Sequence, residues 1–302
     1  MIFNEFKNAF QRSNHAHVQL IIINVAVFLF MGVIFVFSRI GGLEAVYEFV
    51  DHQFTIPPQL ADYLTRPWTL FTYSFAHSLT DIFHILFNML ALYWFGRLFV
   101  EYLGSDKLIA LYVLGGLAGG VLYLLMFNTI PYFIEASNFR GMVGASAAVY
   151  AIMVATAVLL PDYTFFLLFL GPVKIKYIVF FYIVISFIGS VGPNAGGNIA
   201  HLGGALMGYV YMKQLQAGVN WGNWITATLD WINSLFSSKP KVKVTYRKEE
   251  ANVNRKATTK GSGGLSKISQ DEIDAILDKI SDGGYESLSK EEKEKLFNAS
   301  KK

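Results

Sequence analysis

The chain has 302 residues, 53% of them hydrophobic, and a mean hydropathy of +0.40, which excludes an ordinary soluble domain and points to a polytopic membrane protein. The net charge of +3 reflects mainly the C-terminal end, because residues 237–302 hold 15 of the 25 Lys and Arg and 11 of the 22 Asp and Glu. With no cysteine, disulfides, thiolate nucleophiles and Cys-ligated metals are excluded.

A spanning helix needs about 20 mostly apolar residues, and six stretches meet that need: 18–37, 82–100, 107–127, 142–160, 173–190 and 198–215. A cytoplasmic segment, 1–17, carries Lys7 and Arg12 ahead of the first stretch. That stretch is too long for a signal-peptide core and is expected to stay as an anchor. Connections are short except for 38–81, which is aromatic-rich and contains Pro57-Pro58.

With the N-terminus inside, the inner side receives Lys7, Arg12, Arg97, Lys107, Lys174, Lys176, Lys213 and the basic tail, while the outer side receives Arg39, Arg66 and Arg140. The Lys/Arg asymmetry therefore predicts an N-in, C-in topology. The expected fold is an all-α membrane protein, a six-helix core over 18–216, followed by a small helical soluble tail.

After the core the composition changes. Residues 217–238 place Trp224, Ile225, Leu229, Trp231, Ile232, Leu235 and Phe236 mainly on one side of a helix, as expected for an in-plane segment at the inner interface or a short helix packed on the core. Residues 239–264 read as a flexible basic linker, with eight Lys/Arg against two acids over 239–260, expected to meet anionic lipid. Residues 265–302 read as a helical hairpin, with capping-box patterns at Ser269 to Glu272 and Ser289 to Glu292 and with Gly283-Gly284 between the helices. An interaction or regulatory role is assigned to it.

Two apolar stretches carry chemistry-bearing residues: Ser146 in Gly144-Ala145-Ser146, and His201 in Ala200-His201-Leu202-Gly203-Gly204. In the predicted topology both lie near the outer ends of their helices, at similar depth. His84 and Asn88 stand four apart on one face near the same side. Gly204 and Gly208 share the face of His201, and Ala147, Ala148, Ala151 and Ala155 follow Ser146, so helices four and six can approach through small-residue packing and bring Ser146 within reach of His201. Gly115, Gly116, Gly119 and Gly120 read as packing without chemistry.

Each residue also has a plainer reading: Ser146 bonded back to the preceding turn, Tyr150 as packing, His201, His84 and Asn88 as bonds between helices. Their conjunction at one depth favours a nucleophile and base acting within the bilayer. The HExxH of a zinc protease is absent, and the acids between 82 and 215 are only Glu101, Asp106, Glu135 and Asp162, near helix ends or loops, which argues against an aspartyl type. A transporter or channel would show broken helices or a line of ionisable residues, and neither is present.

These residues resemble the rhomboid intramembrane serine proteases. The matching pieces are Gly144-Ala145-Ser146 with Tyr150 one turn later, His201 through Gly208 as HxxGxxxG, His84 and Asn88 as HxxxN, Phe95-Gly96-Arg97 with Glu101, and the run from Phe71-Thr72 to His77, together covering about 66–212. The chain departs from the family pattern at Ala147, where GxSG is usual, and at Arg66-Pro67-Trp68-Thr69, where a Trp-Arg pair is common.

The resemblance implies that Ser146 is the nucleophile and His201 the base, stacked on Tyr150, with no third acid, metal or cofactor. His84, Asn88 and the Ser146 N–H would stabilise the oxyanion, supported by Gly144, Ala147, Tyr150, Gly204 and Gly208. The implied substrate is a single-span membrane protein cut near the outer face after a small residue, in a bacterial inner membrane, with no nucleic acid involved. The alternative is an inactive relative that binds membrane clients.

Overall fold

The computed structural model describes residues 15–136, 141–236 and 270–299. Lys7, Arg12, Arg140, the basic linker 239–264 and the Ser269 cap lie outside them. The chain divides into two compact units, Met1–Pro240 and Lys241–Lys302.

The first unit is mostly helical. Helix α1 spans Ala16–Gly41 and ends on Gly42, whose φ of 65° closes the helix in the left-handed conformation that glycine adopts without steric cost. The long connection that follows is structured, with α2 (Glu44–Phe54), α3 (Leu60–Thr65), α4 (Thr69–Thr72) and a 3₁₀ turn at Tyr73–Phe75. Helix α5 (Ile82–Leu103) is capped by Asp81, whose carboxylate accepts from the N–H groups of Phe83 and His84. Then come α6 (Ser105–Thr129), α7 (Pro131–Ala136), α8 (Ser146–Leu159), a hairpin of β1 (Thr164–Leu167) and β2 (Gly171–Lys174), α9 (Ile175–Gly189), α10 (Ala195–Gln216) and α11 (Asn223–Phe236).

Among the described residues three helices, α1, α5 and α6, are long and apolar enough to cross a membrane; α8 and α9 are apolar but shorter. Helix α10 has the length, 22 residues, but Asn198, His201 and its glycines reduce its hydropathy.

Two expectations need correction. The fold is not purely α: β1 and β2 pair antiparallel, Thr164 opposite Lys174 and Leu167 opposite Gly171, so the fifth apolar helix starts at Ile175 and not at 173. Lys174 and Lys176 both reach Asp162 at 2.9 Å, and these two ammonium groups hold its carboxyl down to about 2. The fourth helix starts at Ser146 and not at 142, because the preceding segment is extended. Ile56 and Met142 exchange both backbone hydrogen bonds, and Gly144 N–H donates to the Tyr73 carbonyl at 3.0 Å.

The core is organised around α8, which is buried from Ser146 to Ala157 and packs against α5, α6 and α10. Glycines allow this. A Cβ on Gly115 or Gly119 of α6 would overlap the methyl of Ala151 or Ala147, and one on Gly204 or Gly208 of α10 would overlap the carbonyl oxygen of Ala147 or Ala151. Thus α8 is gripped on two sides at two successive levels, by close backbone approach of the kind small residues permit.

A buried polar cluster ties α1 to the same core: Asn24, fully buried, donates to Tyr112 Oη at 3.0 Å, and Tyr112 donates to the Ser74 carbonyl at 2.7 Å. The outward faces are apolar, with Phe30, Phe37, Phe87, Phe181 and Ile188 all more than half exposed, the inverse of a soluble protein's surface. In α11, Ile225 is buried while Trp224, Trp231 and Leu235 are exposed.

In the second unit α12 (Gln270–Gly283) and α13 (Lys290–Ala299) flank a 3₁₀ turn at Tyr285–Ser287. The expected capping box at Ser289 is formed: Glu292 N–H donates to Ser289 Oγ at 3.3 Å, and Ser289 N–H to Glu292 Oε2 at 2.7 Å. The Ser289 N–H bond, with Lys279 beside it, holds the Glu292 carboxyl at about 2 from an ordinary 4.5. A depressed carboxyl contributes stability that is complete above its unfolded value and is lost as pH falls through the folded one. Helicity of the tail should therefore be constant from pH 7 to 5 and decline between about pH 4.5 and 2, with Glu292→Gln flattening the response in circular dichroism.

Candidate active site

Three helix N-termini bring the candidate residues together. His84 lies in the first turn of α5, Ser146 is the first residue of α8, and His201 lies in the second turn of α10. Ser146, His201, His84, Asn88 and Tyr150 all line one cavity of about 310 Å³, with Asp81, Val143, Tyr182 and Asn194. A second cavity of about 860 Å³ shares His84, Asp81, Val143, Asn194 and Gly197 and extends over Tyr123, Phe127, Tyr132 and Met142.

The lead-in to Ser146 is pinned by the Ile56–Met142 bridge and by Tyr73, whose hydroxyl in turn donates to the Gly116 carbonyl at 2.6 Å. Gly144 has φ 141°, and a Cβ there would stand 3.0 Å from Cε1 and Nε2 of His84 and 3.5 Å from Ser146 Oγ. Glycine is needed for its conformation, and its missing side chain keeps the space between His84 and Ser146 open. The Ser146 N–H makes no backbone hydrogen bond among the described residues, as expected for the first N–H of a helix.

His201 stacks on Tyr150 with ring centroids 4.3 Å apart and planes at 12°, the arrangement the resemblance implies. Asn88 donates one amide N–H to the His84 carbonyl at 2.7 Å, leaving the other for the cavity. His77 packs edge-on against the His84 ring with centroids 5.2 Å apart.

Three features were not foreseen. The side chains of Ser146 and His201 line the same cavity but are not hydrogen-bonded to each other among the described residues; in hydrolases that bond is often long until substrate is seated. A carboxylate does reach the cavity: Asp81, one residue before the apolar stretch 82–100, lines it, although its oxygen is committed to the α5 N-terminus. Ser186 of α9, unremarked in the sequence, sits 3.0 Å from His201 Nδ1 and 2.8 Å from the Tyr150 hydroxyl. The signal in the sequence is that it is the one serine in a helix with no threonine, one turn after Tyr182. Among the described residues no group of three or more His, Asp or Glu side chains is arranged to hold a metal.

Ala147, the departure from GxSG, is 1% exposed and does not line the cavity. Its methyl fits against Gly119 of α6, away from the space a substrate would enter. Ala147→Gly should therefore change turnover by less than about tenfold, roughly 1.4 kcal/mol, and lower the thermal midpoint slightly through lost packing and lower helix propensity. A chain that gains activity only on this replacement would show that the methyl obstructs the site.

The family model described as Rhomboid domain matches residues 64–216, and a family of unknown function, DUF6576, matches 266–302. The chain is 36% identical over 163 residues to "RHOMBOID-like protein 12, mitochondrial" of Arabidopsis thaliana, covering 51% of this chain and 48% of that protein. It is 29% identical over 181 residues to "Rhomboid protein 1, mitochondrial" of Saccharomyces cerevisiae, covering 53% and 49%. The chain thus spans about half the length of the relatives it matches. The matched segment holds every residue of the cavity around Ser146 and His201 and takes up just over half of the chain, and on that match the chain belongs to the rhomboid family.

Proposed function

We propose that this chain is an intramembrane serine endopeptidase that cleaves the transmembrane segments of single-span membrane proteins near the outer face. The observation that carries the reading is the convergence of Ser146, His201, His84 and Asn88, from three helices, on one cavity. His201 takes the proton of the Ser146 hydroxyl as the oxygen attacks the scissile carbonyl, then returns it to the leaving amine; water hydrolyses the acyl-enzyme by the same route. The Ser146 N–H, the His84 ring and the free Asn88 N–H would receive the developing oxyanion.

The reading includes six spans, α1, α5, α6, α8, α9 and α10, with both termini in the cytoplasm of a bacterial inner membrane; Lys/Arg asymmetry supports that orientation. The depth of the site then follows from length. Fourteen residues of α8 rise about 21 Å, short of a hydrocarbon core of about 30 Å. With its C-terminal end at the inner boundary, Ser146 lies below the outer one, and the larger cavity supplies water from outside. The partners proposed are the single-span substrate, the bilayer and, through the basic run before the tail, anionic lipid.

A fluorophosphonate probe tests the reading. Detergent-solubilised wild type should label and should cleave a single-span substrate, whereas Ser146→Ala should do neither. Labelling that persists in Ser146→Ala would place the nucleophile elsewhere. The alternative, an inactive client-binding relative, predicts a wild type that neither labels nor cleaves.

A further inference from the structure

Behind the His201 ring a chain of hydroxyls ends on a backbone carbonyl, and its polarity can be followed proton by proton. The Tyr150 hydroxyl donates to the Tyr182 carbonyl at 3.4 Å, a group that only accepts. The Tyr150 oxygen is then the acceptor for Ser186, whose hydroxyl donates to it at 2.8 Å. A serine hydroxyl has one proton, so what Ser186 presents to His201 Nδ1, 3.0 Å away, is a lone pair. The hydrogen bond exists only if Nδ1 carries the proton. A neutral imidazole protonated on Nδ1 has its free lone pair on Nε2, at the opposite edge of the ring.

We propose that Ser186 is a positioning residue that, with the Tyr150 hydroxyl, holds His201 in the Nδ1–H tautomer and so leaves Nε2 as the base for Ser146. The consequence for rate rests on the protease reading; the tautomer does not. The setting suits a fixed polarity. Ser186 is 1% exposed, which leaves its hydroxyl little choice of partner, and the stack on Tyr150 at 4.3 Å keeps the ring from turning over. When His201 accepts the Ser146 proton, Nδ1–H becomes the donor of a charge-assisted bond to an oxygen already polarised by its own donation. A hydroxyl pair thus does, without a carboxylate, the orienting part of what an acid does in a triad.

The experiment uses the full chain in lipid nanodiscs with a single-span substrate. Ser186→Ala should lower kcat by about tenfold or more, a fraction of the 10² to 10⁴ of general base catalysis, with KM within about threefold, and Ser186→Thr, which keeps the hydroxyl, should recover most of that loss. Tyr150→Phe keeps the stacked ring but strands the Ser186 proton, which then turns toward Nδ1 and favours the wrong tautomer. Its loss should match or exceed that of Ser186→Ala, yet add less than about twofold in the Ser186→Ala background. A Ser186→Ala enzyme with wild-type kcat, or losses that multiply in the double variant, would overturn the proposal.

Histidine-selective ¹⁵N solid-state NMR of the wild type, with the His201 signals identified by their absence in His201→Gln, reads the tautomer without turnover or a destabilising change. Nδ1–H in a chain that neither labels nor cleaves would retire the protease reading and leave the lock standing. Nε2–H in an active chain would do the reverse.

Discussion

Ser146→Ala and His201→Ala should each reduce cleavage of a single-span substrate to background, a loss on the order of 10⁴-fold or more, because each removes a group through which the same proton passes. The double variant should be no slower than either single one, since a nucleophile without its base and a base without its nucleophile fail at the same step. Folding should survive Ser146→Ala intact: among the described residues the hydroxyl makes no hydrogen bond, so its removal orphans no partner. His201→Ala gives up the stack on Tyr150, worth about 1 kcal/mol, and leaves Ser186 one partner fewer, so a modest fall in thermal midpoint should accompany its inactivity. Wild-type turnover in Ser146→Ala, or a double variant much slower than both singles, would refute the assignment of nucleophile and base.

The parts of this molecule that were legible in the sequence are those in which local pattern and tertiary role coincide. Helices α5 and α6 come within a few residues of their expected bounds because an apolar run of that length has few alternatives. His84 and Asn88 are legible as neighbours because one helical turn separates them. Pattern fails where apolar residues are not helical. Residues 142–145 look like the start of a span, but the backbone there pairs with Ile56 and Tyr73, and residues 173–174, which look like the start of the next, belong to the second strand of a hairpin with Gly171 at φ 69°.

What sequence could not supply is direction. Ala147 departs from GxSG in sequence, but its methyl points at Gly119, one of the four α6 glycines, whose missing side chain admits it. Ser186 acquires meaning only from His201, 15 positions away in sequence and 3.0 Å away in space. Among the described residues no carboxylate orients the ring; the Ser186 hydroxyl, backed by that of Tyr150, stands at its Nδ1.

The oxyanion donors carry the second large expectation. Asn88 has two amide protons, and one is spent on the His84 carbonyl at 2.7 Å. That bond restrains the amide, and the remaining N–H, with no hydrogen-bond partner among the described residues, is available to the cavity that Asn88 shares with Ser146. The His84 ring approaches the same space beside Gly144, where a Cβ would be 3.0 Å from its Nε2. Donors held this way act on charge that develops only as the carbonyl becomes tetrahedral, so their loss should appear in kcat and leave KM within about threefold. Asn88→Ala and His84→Ala should each lower kcat by about a hundredfold, roughly 3 kcal/mol. Asn88→Asp separates charge from shape: it nearly preserves the side chain's size but places an acceptor where a donor stood, so it should be slower than Asn88→Ala. A packing role predicts the opposite order, with the near-isosteric aspartate milder than alanine and the damage appearing in the thermal midpoint. A rise in KM at constant kcat would instead make these residues substrate contacts, and the Ser146 N–H, at the start of α8, would then be left as the oxyanion donor.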